Sequence, residues 1–242
     1  MRWLVLLAAL AGCDRVFGLG DPYEDARSPA GSDGAGPGDG RGLDGSDKAT
    51  ALIASFPFDN NYTDAVSQTD AICSSMLGSG CAFGSSHNAA GSSASFDGAT
   101  CVTFQIPARP PAITIAMWVN ATSGATEAVL TRPGFNDPTW LLEEDNDSVY
   151  FKSGTASVTG TPGPTATSWH AIAVTVGPGG SVAYLDGVER GSGAGITISY
   201  ISDTAYIGCD GSTSSLDNFH GLLDNVEIYD GILSVAEIQA IP

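Results

Sequence analysis

The sequence predicts an all-β fold, an antiparallel sandwich of two sheets closed by a short C-terminal helix. Three observations carry that reading: period-two alternation from Trp169 to Val176, two hairpin turns close behind it, and further short apolar runs separated by Gly, Ser and Asp clusters.

From Trp169 the alternation puts His170, Ile172, Val174 and Val176 on one face and Trp169, Ala171, Ala173 and Thr175 on the other. Gly177-Pro178-Gly179-Gly180 reverses the chain, Val182 to Leu185 form the return strand, and Asp186-Gly187 supplies the positive-φ turn that hairpins favour. Strands are expected at Ile196 to Ile201, Ala205 to Gly208 and Leu222 to Tyr229, at the spacing of a β-sandwich. Ser234 and Glu237 stand three apart as a capping box, which starts a helix over Val235 to Ile241.

The order of Trp169-His170, Tyr184-Leu185-Asp186-Gly187, Tyr206-Ile207-Gly208 and His220-Gly221-Leu222-Leu223-Asp224-Asn225-Val226-Glu227-Ile228-Tyr229 resembles the laminin-G-like jelly roll of the concanavalin A-like superfamily. Upstream, Ser95-Phe96-Asp97-Gly98, Cys101 to Ile106 and the Trp-containing run Ile113 to Val119 fit the same pattern in the same order. The resemblance covers residues 50 to 240 and implies a jelly-roll sandwich. It leaves function open, because this fold serves lectins, glycanases, adhesion modules and spacers.

Forty-three per cent hydrophobic residues in 242 suffice for one core, so residues 49 to 242 are expected to form a single domain. The formal charge of −18 repels phosphate backbones and excludes nucleic acid as a partner. Residues 1 to 12 read as a signal peptide: Met1-Arg2 is a positive start, Trp3 to Ala11 an apolar stretch too short to span a bilayer, and Leu10-Ala11-Gly12-Cys13 resembles the lipobox of bacterial lipoproteins. Cys13 is then the lipidation site and the link to a membrane. Residues 13 to 48, rich in Gly, Asp, Ser and Pro, cannot bury enough surface to order and read as a disordered tether. In an exported chain the remaining cysteines, Cys73, Cys81, Cys101 and Cys209, imply two disulfides. Of the possible pairings the favoured one closes a short loop from Cys73 to Cys81 and joins two strands through Cys101 and Cys209. Their spacing matches no zinc site.

Three constellations could carry chemistry. Glu143, Asp145 and Asp147 alternate as do the catalytic carboxylates of the laminarinase and lichenase group, which hydrolyse glycans with one nucleophile and one acid. Here, however, Asp145-Asn146-Asp147 reads as a hairpin turn, which cannot hold three carboxylates on one strand face. Many laminin-G-like modules hold calcium at the sandwich rim. That resemblance makes calcium the candidate cofactor, with Asp203 as one ligand and Asp137, in the Asn136-Asp137 loop, replacing a carboxylate missing before Trp169. For sugar binding, Trp140 beside Asn136 and Asp137 is the candidate stacking platform, whereas Trp118 and Trp169 lie among apolar neighbours and read as core. Neither His170 nor His220 belongs to a recognisable nucleophile motif.

The expected protein is therefore non-enzymatic and lipid-anchored in the cell envelope, extracytoplasmic, with a jelly roll that binds a glycan or protein ligand. The alternatives are a glycan hydrolase using Glu143 and Asp147, or a spacer without a ligand. The anchor is directly testable. Cys13→Ser is expected to abolish detergent-phase partitioning while leaving the melting temperature unchanged, since it removes no core contact. A variant that still partitions with membranes, or a wild type found fully soluble after cleavage elsewhere, would overturn the lipoprotein reading in favour of a plain secreted domain.

Overall fold

In the computed structural model of the chain, which describes residues 50–75, 81–133, 140–211 and 217–241, the alternating runs pair into two antiparallel sheets. The first half supplies β1 (Ala51–Phe56), β2 (Thr63–Asp64), β3 (Thr69–Asp70), β4 (Ile72–Ser75), β5 (Ala82–Ser85), β6 (Ser92–Asp97), β7 (Thr100–Gln105) and β8 (Ile113–Ala121). The second supplies β9 (Glu127–Arg132), β10 (Trp140–Glu144), β11 (Val149–Ser153), β12 (Ala156–Gly160), β13 (His170–Gly177), β14 (Gly180–Leu185), β15 (Val188–Gly193), β16 (Thr204–Ile207), β17 (His220–Asp230) and the helix α1 (Val235–Gln239).

Sheet one has eight strands in the order β15-β14-β13-β8-β17-β6-β5, with β1 also paired to β17. Sheet two has seven, β12-β11-β10-β9-β16-β7-β4, while β2 and β3 form a separate ribbon. The inward positions of both sheets, among them Phe56, Phe104, Ile115, Leu142, Phe151 and Val174, make one apolar core. This is the antiparallel two-sheet sandwich that the alternation implied, in the jelly-roll form that the resemblance implied. The Asp186-Gly187 hairpin takes the expected left-handed backbone, with φ of 52° and 71°. The capping box of Ser234 and Glu237 is formed, and the helix it starts ends at Gln239.

Two differences have physical causes. Ile196 to Ile201 forms no strand: Ile196 and Ile198 are buried in the core, but the segment's ladder is limited to a bond from Ile196 N–H to the Gly177 carbonyl. Its apolar period reports burial without pairing. Conversely, β15 reads Val-Glu-Arg-Gly-Ser-Gly, too polar and glycine-rich to register as a strand, yet it completes the edge of sheet one beside β14.

At the centre of sheet one, β17 pairs with β8 along its whole length, while its other edge changes partner. It pairs with β6 as far as Leu223 and with β1 from Val226. The change occurs at a bulge between Asp224 and Glu227, where Asn225 adopts φ of 45°, a conformation Asn tolerates better than most residues.

The residues after β17 cross the outer face of sheet one. Thr114 Oγ1 donates to the Gly231 carbonyl at 2.8 Å and accepts from Leu233 N–H at 3.0 Å, and Leu233 and Ile238 close over Ala116, Ala173 and Tyr184 in a second apolar cluster.

Both expected disulfides are present. Cys73 and Cys81 tie β4 of sheet two to the start of β5 in sheet one, with Cα atoms 6.0 Å apart; Cys101 and Cys209 join β7 to the end of β16 across a separation of 108 residues, with Cα atoms 5.5 Å apart. Loop-closure entropy makes the second bridge worth about 5 kcal/mol against about 2.5 kcal/mol for the first. Thiol labelling of the folded domain is expected to find none of these four cysteines reactive. Denaturant titration should show a larger loss for Cys101→Ala/Cys209→Ala than for Cys73→Ala/Cys81→Ala.

Candidate ligand-binding cleft

On β8 the alternation sends Ile113, Ile115, Met117 and Val119 into the core and Thr114, Ala116, Trp118 and Asn120 outward. The C-terminal segment covers Thr114 and Ala116 but stops short of Trp118, whose side chain stays half-buried on the outer face. Trp118 lies opposite Ala171 of β13 on one side and Asp224 of β17 on the other. Together with Ala171, Asp186, Gly187, Ile238, Gln239 and Ile241 it lines a cleft of about 190 Å³.

The ring is held from one side. His87 stacks on Trp118 with centroids 4.5 Å apart and 10° between planes, and Trp169 meets the His87 ring edge-on at 6.2 Å. Asp224 fixes His87: its Oδ2 accepts from His87 N–H at 3.1 Å and lies 2.8 Å from Nδ1, with the two side chains only 3% and 6% exposed. A buried carboxylate is tolerated because it is paired and hydrogen-bonded, and the bulge at Asp224 is what aims it at this loop.

The opposite wall is the Asp186-Gly187 turn. Asp186 Oδ1 accepts from Ala171 N–H at 3.0 Å, and its Oδ2 lies 2.9 Å from His170 Nδ1. His170 Nε2 in turn lies 2.8 Å from Thr165 Oγ1. Hydroxyl, imidazole and carboxylate thus stand in the order used for nucleophilic catalysis. The stabilising donors are missing, however: Ala166 N–H is committed to Asn146 Oδ1 at 3.2 Å and Thr167 N–H to the Ala121 carbonyl at 2.7 Å. Nothing here forms an oxyanion hole.

The tryptophans exchange the roles the sequence suggested. Trp140, expected to be the sugar platform, is 1% exposed, with its ring 6.1 Å from Phe151 inside the sandwich. Counting by twos from Leu142 explains this, since Trp140 and Leu142 share the inward face of β10. Trp118 and Trp169, expected in the core, are half-buried on the outer side. Asn136 and Asp137 lie outside the described residues, as does Cys13.

Asp203, expected at a calcium rim, is engaged by two guanidinium groups. Its Oδ1 lies 2.6 Å from Arg109 Nη2 and 3.4 Å from Arg132 Nη2. Arg132 is fully buried, donating to the carbonyls of Ser202, Ala108 and Ile106, and positive charge on that side opposes a divalent cation. Among the described residues no group of three or more His, Cys, Asp or Glu side chains is placed to hold a metal ion. Asp145 to Asp147 form the expected turn, with Asp145 Oδ1 accepting from the N–H groups of Asp147 and Ser148 at 2.8 and 2.6 Å. Glu143 and Asp147 therefore do not share a strand face.

A family model described as the concanavalin A-like lectin/glucanases superfamily, Laminin_G_3, matches residues 90–239. The chain belongs to this laminin-G-like family. No curated protein matches the chain in sequence. Among solved structures, the laminin-G-like domain is similar to domain 4 of AbnA, a GH43 extracellular arabinanase from Geobacillus stearothermophilus, in complex with arabinotriose. That match has a TM-score of 0.65 and 17% identity, over 79% of this chain and 98% of that one. It is also similar to the receptor-binding domain of botulinum neurotoxin type G, with a TM-score of 0.59 and 13% identity over 78% of this chain. A third likeness is to the binding domain of Paraclostridial mosquitocidal protein 1, with a TM-score of 0.60 and 12% identity. The chain spans about half the length of these two toxin domains, 50% and 51%. At such identities the likeness is one of fold.

The laminin-G-like sandwich also buries a facing pair of carboxylates that the alternating Glu143, Asp145, Asp147 pattern does not include. Glu144 continues the inward face of β10 and pairs in register with Glu127 of β9; they are 1% and 3% exposed. Glu127 accepts from Ser123 Oγ at 3.0 Å and from His220 N–H at 3.0 Å, and lies 3.2 Å from His220 Nδ1, whereas neither oxygen of Glu144 has a hydrogen-bond partner among the described residues. Burial first, then the neighbouring Glu127 and Asp145, push Glu144 from the ordinary 4.5 up to about 8.

Glu144 therefore keeps its proton in the folded protein over a range where the unfolded chain has released it. The folded state binds more protons there, so stability falls as pH rises from about 4.5 to about 8. The loss is up to about 1.4 kcal/mol per pH unit. Chemical denaturation at several pH values should show this slope in the wild type, and Glu144→Gln, which copies the protonated carboxyl in shape, should flatten it. An unchanged slope in the variant would assign the pH dependence to other groups.

Proposed function

We propose that the laminin-G-like jelly roll is a non-enzymatic carbohydrate-binding module, carried outside the cytoplasm by a protein anchored through a lipid on Cys13. One observation carries this reading: a tryptophan on the solvent side of sheet one lines a cleft and is braced by a histidine that a buried aspartate locks in place. A pyranose presents flat apolar C–H faces, which an indole ring covers while nearby amides and carboxylates take the hydroxyls. Here Gln239 and Asp186 are the polar groups beside Trp118. The cleft is smaller than the roughly 300–1,000 Å³ of drug-sized pockets, so it seats one ring and leaves the rest of a longer chain on the surface.

The preorganisation of Trp118 supports binding over a purely structural role. Ordering an aromatic side chain before the ligand arrives lowers the entropy lost on association. Catalysis is disfavoured because the carboxylates at Glu143 and Asp147 are split by a turn, and because the Thr165-His170-Asp186 chain has no oxyanion donors beside it. The arabinotriose complex of the similar arabinanase domain supports a glycan as the ligand class. The two disulfides support an oxidising compartment for the domain, and no helix among the described residues is long and apolar enough to cross a membrane.

A glycan array spanning neutral, acidic and basic oligosaccharides, followed by calorimetry on the hits, tests the proposal. Trp118→Ala is expected to weaken binding by about 2 kcal/mol, roughly thirtyfold, as for a central aromatic anchor. Its far-UV circular dichroism should stay that of the wild type, because Trp118 lies outside the main core. A blank array, or hits that bind the variant equally well, would leave the domain as a spacer.

A further inference from the structure

The chemistry around the cleft narrows the class of sugar. Only four of the nine basic residues follow Lys48, namely Arg109, Arg132, Lys152 and Arg190. Arg109 and Arg132 are committed to Asp203, and Lys152 lies on β11 of sheet two. Arg190 lies on β15 of sheet one but turns inward, its Cβ being among the atoms that a side chain at Gly160 of β12 would meet. Among the described residues, then, no lysine or arginine serves the outer face of sheet one. Its acidic groups include Asp186 at the cleft wall, Asp224 beneath His87, Glu227 beside Tyr229 and Glu237 on the helix.

Asp186 is the charged side chain lining the cleft, and it is 46% exposed. The partners of its carboxylate among the described residues are the His170 ring, with Nδ1 2.9 Å from Oδ2, and Ala171 N–H, which donates to Oδ1 at 3.0 Å; neither is a lysine or an arginine. A carboxylate thus stands beside the indole of Trp118. Carboxylate and aromatic face together form a site for an organic cation, and the chain's net charge of −18 draws cations in and repels uronic, sialic and sulfated sugars.

We propose that the cleft selects cationic amino sugars, glycans whose free ammonium group sits against Asp186 while the sugar ring covers Trp118. This rests on the reading of the cleft as a glycan site and adds the charge of the ligand to it.

The experiment compares tetramers of glucosamine and of N-acetylglucosamine, which differ in charge on the same ring, by calorimetry with the intact chain. The glucosamine tetramer is expected to bind roughly tenfold more tightly, with an advantage that shrinks as salt rises. Asp186→Asn keeps the left-handed turn and the acceptor for Ala171 N–H, and is expected to remove the preference, bringing the affinities of the two tetramers together. Because an acidic protein attracts any polycation, Asp147→Asn, at a hairpin tip on the other sheet, serves as the comparison and should keep the preference. Equal losses in the two variants, or tetramers that bind alike, would overturn the charge selection and leave the cleft standing. Binding of neither tetramer would overturn it as well; if Trp118→Ala also left all glycan binding unchanged, the cleft itself would fall.

Discussion

The bulge in β17 is the constraint on which the outer face of this domain depends. A strand of 11 residues at the centre of a sheet would ordinarily keep one neighbour on each edge. By inserting an irregularity at Asp224 to Glu227, β17 hands its free edge from β6 to β1, so one edge of a single strand holds two neighbours. The same irregularity leaves Asp224 on the outer side opposite Trp118, where it reaches the loop carrying His87. Without that carboxylate, His87 would lose the partner that makes its burial tolerable, and Trp118 would lose the ring stacked on it.

Sheet one is covered on both faces, the inner by sheet two and part of the outer by the C-terminal segment. This double covering explains what could be read from the sequence and what could not. The strands around Ile172, Val174 and Val176, the Asp186-Gly187 turn and the capping box at Ser234 rest on local rules of period, turn conformation and cap chemistry, and each appears where those rules place it. The disulfides were legible because four cysteines with one short spacing leave few arrangements. Trp118 was not legible. Its neighbours Ala116 and Met117 are apolar because one faces the helix and the other the core, so the run shows no polar side against which an exposed tryptophan would stand out.

The carboxylates show the same limit from the other side. Glu143, Asp145 and Asp147 drew attention through a spacing that resembles catalysis, while Glu144, between them, carries the largest electrostatic consequence. The register of β10 with β9 puts Glu144 inward beside Glu127. That register could be counted from Leu142, but its meaning depends on a second glutamate 17 positions upstream reaching the same layer, which only the sheet pairing reveals. Trp140 falls under the same count and is core for the same reason.

The helix α1 has five residues, far below the length at which a helix persists alone in water. It is held by its cap and by Ile238, its buried residue, resting on sheet one. Such an element sits at the low end of the local stability scale, opening on its own well before the sandwich does. Ile238 and Gln239 are also a wall of the cleft. The width of the cleft is therefore governed by the least cooperative part of the domain, and a ligand wedged between Trp118 and this wall would be felt first as slowed hydrogen exchange in the helix.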